Sequence, residues 1–213
     1  MALSFPLPLA GFADIIGMQT AKWLLQDNRE FSGMGSGQIL QADLGPQLWT
    51  ASIMLRAWRA TEARRIEALL NAVIRSAGSF YLYDPRKAVP ARDPRGVILG
   101  ASAVQINSLP DSKSMSLKGL PAGYRLTAGD YLAFDYGDPA RRAFHELAED
   151  ATASGGGITP AFEVNPFIRP GAVVNAAVTL IRPAMKCIIK PGSMDTGNSG
   201  SLSQISFAVI QKL

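Results

Sequence analysis

Residues 48–58, LWTASIMLRAW, place Trp49, Ala51, Ile53 and Leu55 on one side of an extended chain, an alternation that predicts a half-buried strand. Similar patterns predict strands in MQTAKWLL, which opens at Met18, and in QILQADLG, which closes at Gly45. Between these two runs lies the glycine-laden SGMGSG (32–37), which reads as a flexible connection too long for a tight hairpin. The period changes to that of a helix at 61–77, where Ile66, Leu69, Leu70, Val73 and Ala77 form one apolar stripe. Thr61 is the expected N-cap, and Gly78 the expected left-handed stop. An aromatic strand, SFYLYDP, follows, and then RKAVPARDPRG reads as a linker.

Alternation resumes beyond the linker. Strands are expected at 97–106, 114–119, 123–127, 130–136, 142–151, 161–165 and 173–182. The segment 142–151 is ambiguous, since the alanines and acids of FHELAEDATA also suit a helix; its β neighbourhood favours a strand. In GDYLAFDYG, Leu132, Phe134 and Tyr136 share one face, with Tyr131, Ala133 and Asp135 on the other. The final thirty residues read as two strands joined by a Gly/Ser/Asn loop, with Ile205, Phe207 and Val209 in phase. Two strands are not stable alone. They are therefore expected to complete the first sheet system, making residues 96–183 an insertion. The fold class that follows is mainly β with one α-helix. A β-sandwich is built from both chain ends, 1–95 plus 184–213, and carries a small, barrel-like β-domain at 96–183.

Composition agrees with many turns and short strands: 213 residues hold 20 glycines and 14 prolines. The formal charge of +4 is concentrated. From Arg56 to Arg95 nine basic and four acidic residues give an excess of five, so the remainder sums to about −1. Arg56, Arg59, Arg64, Arg65 and Arg75 are candidates for contacts with carboxylates of neighbouring subunits. The charge is too small to imply specific nucleic-acid binding. No apolar run reaches the roughly 18–20 residues of a membrane span, so no membrane partner is expected. Residues 1–18 lack a basic segment and are broken by Pro6 and Pro8, unlike a secretory signal, so synthesis in a cytoplasm is expected.

Candidate chemistry is sparse. One cysteine, Cys187, and one histidine, His145, exclude an internal disulfide and a Cys/His zinc site. Cys187 sits in the apolar MKCIIK and reads as a buried small hydrophobe. Asp130, Asp135 and Asp138 are close in sequence, but alternation separates Asp135, while the other two fall in turns. His145 and Glu146 face opposite ways on a strand and cannot form a catalytic pair, which leaves His145 a surface or interface residue. ASGGGITP (153–160) is placed as a loop tip rather than a dinucleotide fingerprint. Trp49 is expected in the core and Trp58 nearer the surface; Tyr124, Tyr131 and Tyr136 are the aromatics available for stacking on a glycan. No catalytic, cofactor or metal residue is assigned, and no enzymatic activity is expected.

The stretch LKGLPAGYRLTAGDYLAFDYG and the later VNPFIR resemble minor tail proteins of long-tailed bacteriophages. The matching residues are Gly119 to Gly123, Leu126, Gly129 to Leu132, Val164, Pro166, Ile168 and Arg169. The flanking pattern, a strand-rich half with one helix, then FYLYDP and a C-terminal strand pair, is similar to distal tail proteins. The resemblance implies a structural virion protein of the tail tip. It implies a ring with sixfold symmetry, joining the tail tube to the tail hub proteins. Two alternatives accompany it. One is a host-glycan-binding module; the other is a tail tube or terminator subunit, for which a long hydrophobic hairpin would be expected.

Overall fold

The computed structural model describes residues 3–199 and 201–213, with 198 and 199 described by their backbone alone. The chain is mainly β. Its first half contains α1 (Ala13–Ile16), β1 (Met18–Gln26), β2 (Arg29–Gly33), β3 (Ile39–Asp43), β4 (Leu48–Leu55), β5 (Trp58–Arg59), α2 (Ala60–Arg75) and β6 (Phe80–Leu82). The middle contributes β7 (Gln105–Ser108), β8 (Ser114–Lys118), β9 (Arg125–Leu126), β10 (Tyr131–Tyr136), β11 (Arg141–Leu147), β12 (Ala151–Thr152), β13 (Phe162–Asn165) and β14 (Val178–Thr179). The chain closes with β15 (Met185–Ile189), β16 (Asp195–Ser199) and β17 (Leu202–Gln211).

Both chain ends share one sheet, in the order β1-β4-β17-β15-β6, with β5 and β16 also paired to β17. The alternation of Trp49, Ala51, Ile53 and Leu55 is matched on β17 by Ile205, Phe207 and Val209, all buried on one face. Against that face lie Ala63, Ile66, Leu70 and Val73 of α2, together with Phe12 and Ile16. The second sheet, β14-β10-β11-β13-β8-β7, curls into a nearly closed barrel. Its ends meet where the Ile106 amide donates to the Ala176 carbonyl at 3.0 Å and the Asn175 amide to that of Ile106 at 2.9 Å. The barrel has its own core of Ile106, Met115, Leu117, Leu132, Phe134, Leu147 and Phe162.

The stretch YLAFDY in β10 is buried on both faces. Leu132, Phe134 and Tyr136 fill the barrel, whereas Tyr131 and Ala133 join Phe144 of β11 in the core of the first sheet. There Phe144 lies 5.6 Å from both Trp23 and Trp49 and 4.8 Å from Tyr131, centroid to centroid. The Trp49 indole N–H donates to the Phe144 carbonyl at 3.1 Å. Sheet and barrel are therefore cemented by aromatic packing and not merely tethered.

Several elements depart from the sequence expectations. SGMGSG is not a loose connection but the tip of the β2–β3 hairpin, closed by Met34 donating to the Gln38 carbonyl and Gly37 to that of Met34. The N-cap of α2 is Arg59, not Thr61, and no side chain caps it. At the other end Ala77, not Gly78, takes the left-handed conformation, with φ 46°. Gly78 instead closes the helix by donating to the Val73 carbonyl at 2.9 Å. A Cβ there would sit 2.3 Å from the Phe5 ring, so the close approach requires glycine.

The strand expected at 97–106 begins only at Gln105. Residues 97–104 turn instead, because buried Asp93 accepts from the amides of Ile98 and Leu99 and from the Tyr124 hydroxyl. Of 173–182 only Val178–Thr179 pairs as a strand, and 142–151 is strand over 142–147 (β11), bends at 148–149 and re-enters a strand at Ala151 (β12). The C-terminal region has three strands rather than two: the expected Gly/Ser/Asn loop supplies β16, paired with β17, and its Gly200 lies outside the described residues. Among the described residues no helix is long and apolar enough to cross a membrane.

Candidate self-assembly surface

The β2–β3 hairpin projects from the edge of the main sheet, between β1 and β4, and every residue in its two strands is exposed. Phe31, Met34, Ile39, Leu40 and Leu44 are each between 50% and 68% exposed, and Leu24 on the adjoining β1 is 65% exposed. Solvating that many large apolar side chains in one place is costly, since each loses about 1.5–3 kcal/mol relative to burial. The register explains why no buried face rescues the hairpin. Phe31 faces Gln41 and Gly33 faces Ile39 on one side; Ser32 faces Leu40 and Glu30 faces Ala42 on the other. Apolar residues thus occupy both faces.

The base of the hairpin is firmly held. Asn28 donates through Nδ2 to the Pro46 carbonyl at 2.7 Å, and the Leu44 amide donates to the Asn28 carbonyl at 3.1 Å. Arg29 makes a two-pronged ion pair with Asp27, its Nη2 lying 2.7 Å from Oδ2. The hydrogen bond from Arg29 holds the Asp27 carboxyl below the usual range. A cleft of about 410 Å³ separates this base from the Pro166–Pro170 loop of the barrel, lined by Arg29, Asp43, Phe167 and Arg169. Arg169 crosses it to donate to the Gln47 carbonyl at 3.3 Å.

The arginines singled out by charge are all exposed, and among the described residues none makes an ion pair. Arg56 instead stacks its guanidinium 3.9 Å above Trp58, which is half-buried and donates to the Ile16 carbonyl at 3.3 Å. Trp49 is in the core, as its phase requires. Cys187 is buried in contact with the Phe80 carbonyl, and burial pushes its thiol up.

The other candidates do not converge on a reactive centre. Asp130 is buried and satisfied: one oxygen accepts from Ala91 at 2.8 Å, the other from Thr127 at 2.8 Å. Burial raises its carboxyl above the usual range despite these bonds. Asp135 instead pairs with Arg142 across the β10–β11 ladder, and Asp138 lies in the exposed turn beyond. Among the described residues no group of three or more His, Cys, Asp or Glu is placed to hold a metal ion.

His145 is a correction. It is neither a surface nor an interface residue but is buried in the barrel, stacked on Phe134 with ring centroids 5.4 Å apart. Its Nδ1 lies 2.8 Å from the Pro166 carbonyl, which can only accept, so Nδ1 carries the proton. Nε2 has no partner. Glu146 points the other way and binds Lys87 at 2.6 Å. Tyr124, Tyr131 and Tyr136 are likewise buried, at 3–5% exposure, which removes the aromatic face expected for a glycan. Sequence reading finds β3 in QILQADLG but misses its pairing with β2 and the exposed apolar character of the hairpin. Its trace was there in the adjacent pair Ile39-Leu40, which must put apolar groups on both faces of a strand.

No protein-family model matches the chain, and no curated protein is significantly similar to it.

Proposed function

We propose that this chain is a structural protein that assembles with copies of itself, and that it serves as a ring component at the distal end of a phage tail. In this reading it links the tail tube to the tail tip. One observation carries it: a rigidly based hairpin with five large apolar side chains exposed on both faces. A hairpin of this kind gains its stability by being buried against another subunit. The work done is interface burial under symmetry, with no turnover. The exposed arginines of the α2 region, which make no ion pair among the described residues, supply rim charges for the same purpose.

The hairpin equally favours a second structural reading, a tail tube or terminator subunit, for which such an element was expected. A glycan-binding role loses its support with the burial of the three tyrosines. The test is sedimentation of the wild type beside the variant Phe31→Ser/Ile39→Ser/Leu40→Ser, which removes apolar groups from both faces of the hairpin. The variant should melt within about 0.5 kcal/mol of the wild type, as exposed substitutions do, and remain monomeric where the wild type associates. Unchanged association by the variant would contradict the proposal.

A further inference from the structure

The molecule carries a second unfilled apolar surface. The last turn of α2, the end of β15 and the turn at 190–194 that follows it enclose a groove of about 290 Å³. Ile74, Ile188 and Met194 line it, with Ile74 45% exposed, and Lys190 and Lys212 stand beside them. Neither lysine makes an ion pair among the described residues. The groove is thus apolar within and cationic at its margin.

The projecting hairpin has the complementary character. Residues 27–43 contain Asp27, Glu30 and Asp43 against Arg29 alone, a net charge of −2. The two faces differ. Arg29 and Asp43 share the face that holds Phe31 and Ile39, whereas the opposite face presents Leu40 and Ala42 with Glu30 and no cation. Glu30, unlike Asp27, has no ion-pair partner among the described residues. A face that offers leucine and an unpaired carboxylate fits a groove that offers isoleucine and unpaired lysines.

We propose that the groove at the end of α2 receives the Glu30–Leu40 face of the hairpin from a second copy of this chain. The inference rests on the self-assembly reading and adds the acceptor surface to it. The hairpin leaves the sheet between β1 and β4, whereas the groove lies beside β15, beyond β17 in the strand order. Donor and acceptor are therefore different surfaces of one subunit, the arrangement that generates a head-to-tail contact and closes into a ring when the rotation allows. The cleft at the base of the hairpin is the poorer acceptor. Its Arg29 is already paired with Asp27, and its Arg169 is already bonded to Gln47.

The experiment mixes two variants of the full chain that each add one cysteine, Leu40→Cys and Ile74→Cys, and adds a short bismaleimide. Both positions are about half exposed, and the native Cys187 is buried, so the reagent reads the new thiols. A covalent dimer formed in the mixture and not in either variant alone supports the proposal. An associated wild type of unchanged mass with no covalent dimer overturns the docking and leaves the self-assembly reading standing. A wild type that stays monomeric on its own and with tail partners overturns both. Charge reversal gives an independent check: Glu30→Lys or Lys190→Glu alone should weaken association by about fivefold, and the pair together should restore it. Failure of the double reversal to restore it would count against this face of the hairpin.

Discussion

His145 is the residue whose surroundings most sharply constrain its chemistry. Burial lowers its imidazole to about 4; the bond to the Pro166 carbonyl opposes that shift, and the Arg169 cation adds to it. The ring is therefore neutral in the folded barrel, while in the unfolded chain it titrates near its ordinary value of about 6.5. Between those values the unfolded state binds the extra proton. The stabilisation is thus complete above about pH 6.5 and is lost as the pH falls towards 4, a change on the order of 3 kcal/mol. Urea melts of the wild type and His145→Gln at pH 7 and pH 4.5 check this. The acid-induced loss should be smaller in the variant by most of that amount; equal losses would show that His145 does not titrate as its burial requires. That the residue is buried was not legible from sequence. Alternation put it opposite Glu146, correctly, but only the curl of the barrel decides which side of β11 is inside.

At the scale of elements, α2 was legible because its apolar stripe repeats over four turns, and its packing against β4 and β17 follows from that stripe. Its ends were not, because caps depend on single contacts. The residues Ala77 and Gly78 show this and should respond in opposite directions. Ala77 is left-handed, a conformation that costs a residue with a Cβ about 1 kcal/mol, so Ala77→Gly should stabilise by up to that amount. Gly78→Ala would drive a methyl into the Phe5 ring and should destabilise by about 1–3 kcal/mol. Thermal melts of the two variants distinguish this from the sequence expectation, which put the left-handed residue at Gly78 and would make Ala77→Gly unfavourable. Of the hairpin, β3 was legible in QILQADLG, but its partner β2 and the exposure of both faces were not. Strand periodicity is clearest when one face is buried within the chain, and neither face of β2–β3 is. The turn at 97–104 was misread as a strand because its organiser, Asp93, lies outside the segment it folds.

For the whole molecule, the division into a sheet made from both chain ends and an inserted barrel was expected from the return of the last strands. Their union was not. The run YLAFDY has a single charged residue, Asp135, which is the sequence trace of a strand buried on both faces. Phe144, in contact with Trp23, Trp49 and Tyr131, is the centre of that union. Phe144→Ala should cost about 3–5 kcal/mol and should lower the stability of sheet and barrel together. Denaturation followed by tryptophan fluorescence, which reports the sheet, and by amide exchange in the barrel checks this. Loss confined to one of them would show that the two fold independently.

The central claim is that the exposed hairpin exists to be covered by another copy. Multi-angle light scattering of the purified wild type, with negative-stain images of the same peak, tests it most directly. The account predicts an integral multiple of the chain's 22.7 kDa and particles with a central hole. A monomer that stays monomeric as concentration rises, and that stays so when tail proteins are added, would contradict it.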